Sequence, residues 1–424
     1  MRLSHVTRSL EPYLRWFRVK QLSVEDRNIL LFTIDTALQG LMMGGVFSFI
    51  SVFVVRLGAS KLMTSLITSL PAIVLALSSI PAGQFVQRQR NLVRLTNMVR
   101  IFHRGSILLV ALLPFFFDRW LIEVIVVVWA VKSIASALLE ASWMAVVAEV
   151  IPPARRPSVN GARWAILSLV TAGAVAVFGY ILDRMPFPLS YQIVFMTSFA
   201  GGVGGMFFYG RLQIPDNTPP EEQTTGRMSM GKRLRAYLQT LNVPEFVRYE
   251  LTTTVLRIGI NVPAALYSIY WIRHLDASDL WIGYLSTADK LALIAGYFFW
   301  SRVVKRKGHH LPLLICTIGS GLYPVLTSLI GTQTWLPLVA PTWGFFVAGI
   351  DLSIFDTLLA VCPAGRRPTF FSVNTLLSSL TIFLAPMLGS LLADWVDIRP
   401  VFWIAGGIHV VSALLFWKNK IAVD

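Results

Sequence analysis

The sequence is poor in charge. Only 14% of its 424 residues are Asp, Glu, Lys or Arg, where a soluble domain carries about 25%. With 55% of residues hydrophobic, a soluble globular chain of this length is excluded. Cysteine is equally scarce. Cys316 and Cys362 are the only two and both lie in apolar runs, so neither a disulfide framework nor a thiolate metal cluster is implied. The six histidines lack ligand spacing, which leaves no metal site and no cofactor to expect. No Gly-x-x-x-x-Gly-Lys-Ser/Thr loop occurs, against ATP-driven work by this chain alone, and no nucleophile-and-base arrangement can be assembled, against an enzyme. The polar, basic first 28 residues contain no short apolar core before a cleavage site, so a cleaved leader is not expected. No Asn-x-Ser/Thr acceptor is present either, in keeping with a bacterial inner-membrane protein.

What is present is long apolar runs. A spanning helix needs about 20 residues, and such runs fall near 29–55, 62–86, 98–117, 121–148, 160–182 and 190–211. Six more fall near 248–272, 280–303, 311–330, 335–362, 369–393 and 399–417. The fold class expected is all-α: a polytopic membrane protein with 12 transmembrane helices. Residues 1–28 form a polar leading segment, 29–211 and 248–424 two six-helix bundles, and 212–247 a solvated linker opening on Pro215, Asp216, Asn217, Pro219 and Pro220. The net charge of +15 then needs an address. Alternating the loops between two sides puts 27 of the 37 Lys and Arg on the side of the termini and linker, with 6 opposite. That bias predicts a cytoplasmic location for both termini.

The halves repeat each other. Pro152-Pro153-Ala154-Arg155-Arg156-Pro157 matches Pro363-Ala364-Gly365-Arg366-Arg367-Pro368 at an offset of 211, which also carries Asp183 onto Asp394 and Glu140 onto Asp351. Nearer the start of each half the offset is 218, pairing Leu57-Gly58-Ala59-Ser60 with Leu275-Asp276-Ala277-Ser278 and Gln87-Arg88-Gln89 with Lys305-Arg306-Lys307.

With these features the chain resembles a major facilitator superfamily transporter along essentially its whole length. The superfamily's basic turn, Gly-x-x-x-Asp-Arg-x-Gly-Arg, reads here Gly83-Gln84-Phe85-Val86-Gln87-Arg88-Gln89-Arg90-Asn91. Gly83 and Arg88 match, whereas Gln87 replaces the acid and Arg90 the second glycine. Span five has Gly173 and Gly179 but not the Gly-Pro pair of many drug/proton antiporters. The resemblance implies a central cavity lined by spans 1, 4, 7 and 10. It also implies a gate at the turns holding Gly83, Arg88, Arg90, Arg155, Arg156, Arg306, Arg366 and Arg367. The arginines after spans four and ten read equally as anchors to anionic headgroups.

An ionisable group in the hydrocarbon region is costly unless it faces protein or water, so each is a site candidate. Asp35 and Gln39 are four apart on span one. Lys132 lies near the middle of span four and Glu140 about 12 Å nearer the linker side. Arg257 and Asn261 are four apart on span seven; Arg257 and Asp351 are at similar depth, which predicts a pair. Asp356 lies on another face of span ten from Asp351. The competing reading for each is a structural ion pair. That reading is preferred for Arg104, placed to snorkel toward the interface beside His103 and Arg100, and for Asp183 and Asp394, which end helices. Asp289 and Lys290 are adjacent and point different ways. Trp120, Trp335, Trp395 and Trp417 fall at span ends, whereas Trp143 and Trp343 sit where they could stack on a substrate.

These features predict secondary transport of a small organic solute by alternating access. Glu140 and Asp351 would carry a coupling proton, and Arg257 would serve as partner or anion anchor. The expected partners are the small-molecule substrate, H+ and membrane lipid, with no nucleic acid, for a protein acting as a monomer. Two other classes compete. A transporter-like sensor or scaffold is motivated by the degenerate basic turn. A lipid-modifying enzyme would need a polar cluster near one interface, which the sequence does not offer.

Overall fold

The computed structural model describes residues 23–117, 119–152, 155–214, 239–363 and 367–419. Among them are twelve long helices and no strand. In the first half they are α1 (Val24–Arg56), α2 (Lys61–Gln87), α3 (Leu92–Leu112), α4 (Leu121–Val150), α5 (Arg156–Arg184) and α6 (Leu189–Tyr209). The second half holds α7 (Pro244–Arg273), α8 (Asp279–Lys307), α9 (His310–Leu329), α10 (Leu336–Val361), α11 (Arg367–Val396) and α12 (Ile398–Asn419). Side-chain caps fix several starts: Ser23, Ser60 and Asn91 accept from the backbone N–H of Asp26, Met63 and Arg94.

Eleven of the twelve are long and apolar enough to cross a membrane, and the chain is an integral membrane protein. The exception is α8, along which lie Asp279, Asp289 and Lys290. Those charges are matched by partners: Asp279 by Arg56 and Tyr191, Asp289 by Lys290. Outward faces carry large apolar side chains such as Leu77, Phe102 and Leu388, and Trp120, Trp335, Trp395 and Trp417 stand exposed at helix ends, as a bilayer requires.

The repeat is visible in backbone geometry. Gly58 and Asp276, paired by the 218 offset, both have positive φ, at 92° and 47°. Each turns the chain between the first two helices of its half. The first helix of each half is also irregular at the same place. α1 has a π-helical turn over Met43–Phe47, and α7 breaks between Asn261 and Ala264 at Pro263. A π-turn re-aims the residues that follow it, and a proline removes a backbone donor, so both irregularities redirect side chains near mid-helix.

The two halves meet at the ends far from the linker. There α1 packs on α7, α2 on α11 and α5 on α8. Arg56 donates to the Ala277 carbonyl and Arg273 to the Ala59 carbonyl, a reciprocal exchange across the pseudo-twofold. Arg56 also pairs with Asp279 at 3.0 Å, Tyr191 donates to Asp279 at 2.7 Å, and Lys61 pairs with Asp394 at 3.0 Å. Between α5 and α8 the backbones touch at Gly179 and Gly283: a Cβ on Gly179 would lie 2.9 Å from the Asp279 carbonyl and 3.1 Å from Gly283 Cα. Small residues permit such an approach.

Several helices begin earlier than hydropathy indicates, two of them with consequences for the cavity. α3 starts at Leu92 rather than 98 and α5 at Arg156 rather than 160. Arg100 and Arg163, which stand within three residues of the starts expected for these spans, are therefore well inside the helices and buried. An apolar window underestimates helices whose ends are polar, and these two arginines are the cost of that error.

Candidate functional site

A cavity of about 440 Å³ opens in the first half. The π-turn of α1 places Met43 and Phe47 in its wall beside Gln39; α4 adds Glu140 and Trp143, and α5 adds Trp164. The remaining wall is α3, with Arg100, His103 and Arg104. The resemblance implied a cavity lined by spans 1, 4, 7 and 10, so the contribution of span three to this one is a correction. Its signal was in the sequence: residues 100 and 104 are four apart and share a helix face.

The charges divide into paired and unpaired groups. Arg100 meets both Asp35 carboxylate oxygens, at 2.8 and 2.9 Å, and its guanidinium lies 3.9 Å from the Tyr209 ring centre. Bidentate geometry is the strongest form of such a pair. Asp35 is held between α3 and α6, where Gly205 leaves it room, and does not line the cavity; Gln39, one turn on, does. Arg163 donates to the Thr36 hydroxyl from Nε and Nη2, at 3.0 and 2.7 Å, and lies 3.6 Å from the Phe32 ring centre. Lys132 is 5% exposed; its ammonium lies 4.0 Å from the Trp129 ring centre and 4.6 Å from that of Phe47. Arg104 is 2% exposed and lies against Gly202 of α6; its Nε and Nη1 have no hydrogen-bond partner among the described residues. It does not snorkel. Glu140 is exposed to the cavity and forms no salt bridge among the described residues.

In the second half Arg257 pairs with Glu250 at 3.4 Å, and Asn374 donates to the same carboxylate at 2.7 Å. The expected Arg257–Asp351 pair does not form. Equal depth does not place two side chains on facing sides of their helices, whereas Glu250, two turns before Arg257, shares its face. Asp351, the repeat mate of Glu140, is exposed and accepts from the Tyr297 hydroxyl at 3.0 Å. Asn261 donates to the Arg257 carbonyl one turn back, at the end of the helical stretch that precedes the break in α7. Asp356 lies apart, 3.7 Å from His309. Asp289 and Lys290, expected to diverge, meet at 2.9 Å because the long lysine folds back. Trp143 lines the cavity, and Trp343 packs near Tyr323 instead.

At the linker end, Arg155 meets Glu25 and Asp26 of α1. Arg88, Arg90 and Arg306 are exposed and form no bond to the opposite half among the described residues, and Gly83 has open space around it. Arg366 and the side chains of Arg156 and Arg367 lie outside the described residues.

Residues 249–421 match the sequence model of the Major Facilitator Superfamily. The match covers somewhat less than half of the chain, all of it in the second half. Solved structures agree in fold: a variant of the nucleoside transporter NupG superposes with a TM-score of 0.70 at 13% identity, over 92% of this chain and 99% of its own. A D-xylose–proton symporter gives 0.69 at 15% identity, over 93% and 98%. In sequence, the multidrug resistance protein MdtG of Dickeya zeae (strain Ech586) is 28% identical over 142 residues, 33% of this chain. That match spans about a third of the relative's length, 34%. Against the superfamily's turn, the region from Gly83 to Asn91 keeps its arginine but not its acid, and Arg88 stands free of any cross-half latch among the described residues.

Proposed function

We propose that this chain is a secondary carrier moving a small organic solute across a bacterial inner membrane by alternating access. Both termini and the linker lie in the cytoplasm in this reading, as the basic-residue asymmetry favours. The observation that carries it is the one-ended contact between the halves. Arg56–Asp279, Lys61–Asp394 and the Gly179–Gly283 crossing join them at the far side, while Arg88, Arg90 and Arg306 at the linker side are exposed and pair with no residue of the opposite half among the described residues. That is one terminal state of two halves rocking about a site between them. The arrangement corresponds to a cavity open to the cytoplasm.

Glu140 and Asp351 are the proton-carrying groups in this reading. They occupy equivalent places in the two halves and both are exposed, and neither is committed to a salt bridge among the described residues. A carboxylate at a cavity wall can load and release a proton as access alternates. Glu140→Gln and Asp351→Asn should each lower solute-driven proton movement, on the order of tenfold or more, in proteoliposomes loaded with a pH-sensitive dye. Solute counterflow, which needs no net proton transfer, should persist. Undiminished proton movement in both variants would remove the coupling assignment.

A further inference from the structure

We propose that the first-half cavity binds an organic anion with an apolar body, its acidic group on Arg104 and its body against Phe47, Trp143 and Trp164. The proposal rests on the carrier reading and names the class of its substrate. Four cations stand in or just behind the cavity wall, Arg100, Arg104, Arg163 and Lys132, each at most 6% exposed. Two carboxylates accompany them, Asp35 and Glu140. Arg100 already takes both oxygens of Asp35, and Glu140 lies beyond ion-pair distance of the others. Lys132 has only aromatic faces and Arg163 only neutral oxygens.

Arg104 is the decisive group. A buried guanidinium without acceptors is a cost that folded proteins remove by pairing, and no pairing group from this chain reaches its Nε or Nη1 among the described residues. The missing charge is negative, and the cavity is where a ligand can bring it. A guanidinium presents a planar fork that matches a carboxylate, sulfonate or phosphonate, in surroundings where attraction is little screened. A cationic solute would meet four like charges against the single unpaired carboxylate of Glu140. A neutral one would leave Arg104 uncompensated. The rings supply the apolar contact, and the volume, about 440 Å³, falls in the range of about 300–1,000 Å³ usual for small-molecule sites.

The test uses purified full-length protein and probes sharing one ring system: 1-naphthoate, naphthalene-1-sulfonate, 1-naphthamide and 1-naphthylmethylammonium. Binding is followed by quenching of tryptophan fluorescence, and transport by counterflow in proteoliposomes. An anion should bind about tenfold or more tightly than the amide or the ammonium. Arg104→Gln should erase that preference while holding or raising the unfolding midpoint, because it removes an uncompensated charge. Arg104→Lys should restore part of it. Equal or tighter binding of the amide or ammonium would overturn the proposal, as would no anion binding at millimolar concentration or an anion preference unchanged in Arg104→Gln. Counterflow separates the two readings. Anion binding without counterflow of any probe counts against the carrier and leaves the anion site standing; counterflow of the ammonium alone does the reverse.

Discussion

Asp35→Asn should destabilise the first bundle by about 3–5 kcal/mol, lowering the unfolding midpoint in detergent on the order of 10 °C. The carboxylate is 2% exposed and holds both arms of an arginine that is itself 6% exposed. Asparagine keeps one acceptor oxygen but no charge. Arg100 would then stand in a low-dielectric interior beside His103, Arg104 and Arg163, with Glu140 in the cavity wall as the nearest remaining carboxylate of that lining. Removing one member of a buried pair costs more than removing both, so Asp35→Leu combined with Arg100→Met should recover much of the loss. Midpoints from intrinsic fluorescence, with size-exclusion profiles for each variant, decide it. A double variant no more stable than Asp35→Asn would mean that the bidentate bond is not what holds α1 to α3.

Asp35 also shows where sequence reasoning reached and where it stopped. Twelve helices in two repeated bundles were legible because hydropathy and the offsets of 211 and 218 are one-dimensional signals. The positive φ of Gly58 and Asp276 is the same repeat expressed in backbone. Glu140 and Asp351 were legible too, since a carboxylate within an apolar run stands out wherever its helix points. What stayed hidden was azimuth. Asp35 and Gln39 are one turn apart, yet one is clasped by α3 while the other lines the cavity. Arg100 and Arg163 were hidden for a second reason. Helix ends that are polar yet buried by neighbouring helices look like loops to a hydropathy window, and only packing on α1 and α6 reveals them. Arg104 was visible, but its environment was not: whether a long cation reaches water or is sealed off depends on the helix beside it, here α6 with Gly202 making the space.

Gly179→Leu should abolish the far-side closure and with it net transport, by about tenfold or more. At this crossing the atoms in the way are backbone: the Asp279 carbonyl at 2.9 Å and Gly283 Cα at 3.1 Å from an added Cβ. Neither can rotate aside as a side chain can, so α5 and α8 must separate. Separation also pulls apart the contacts seated around the crossing, Arg56 on Asp279 and on the Ala277 carbonyl, and Tyr191 on Asp279. The population therefore shifts toward the state open at the far side, because overlap and lost contacts act in the same direction; moving a two-state balance from one extreme to the other takes about 5.5 kcal/mol. Gly179→Ala, adding one carbon, should fall between. Accessibility at the far side reports this directly. Ala277 is 2% exposed in the closed arrangement, so Ala277→Cys should react slowly with a membrane-impermeant maleimide in the otherwise native chain and rapidly when leucine occupies position 179. The native thiols add little background, Cys316 and Cys362 being 0% and 3% exposed. Each half keeps its own core in the variant, so the unfolding midpoint should move far less than for Asp35→Asn. If Ala277→Cys stays protected with leucine at 179, the glycine crossing is not the hinge of closure, and the one-ended contact between the halves would need another explanation than alternating access.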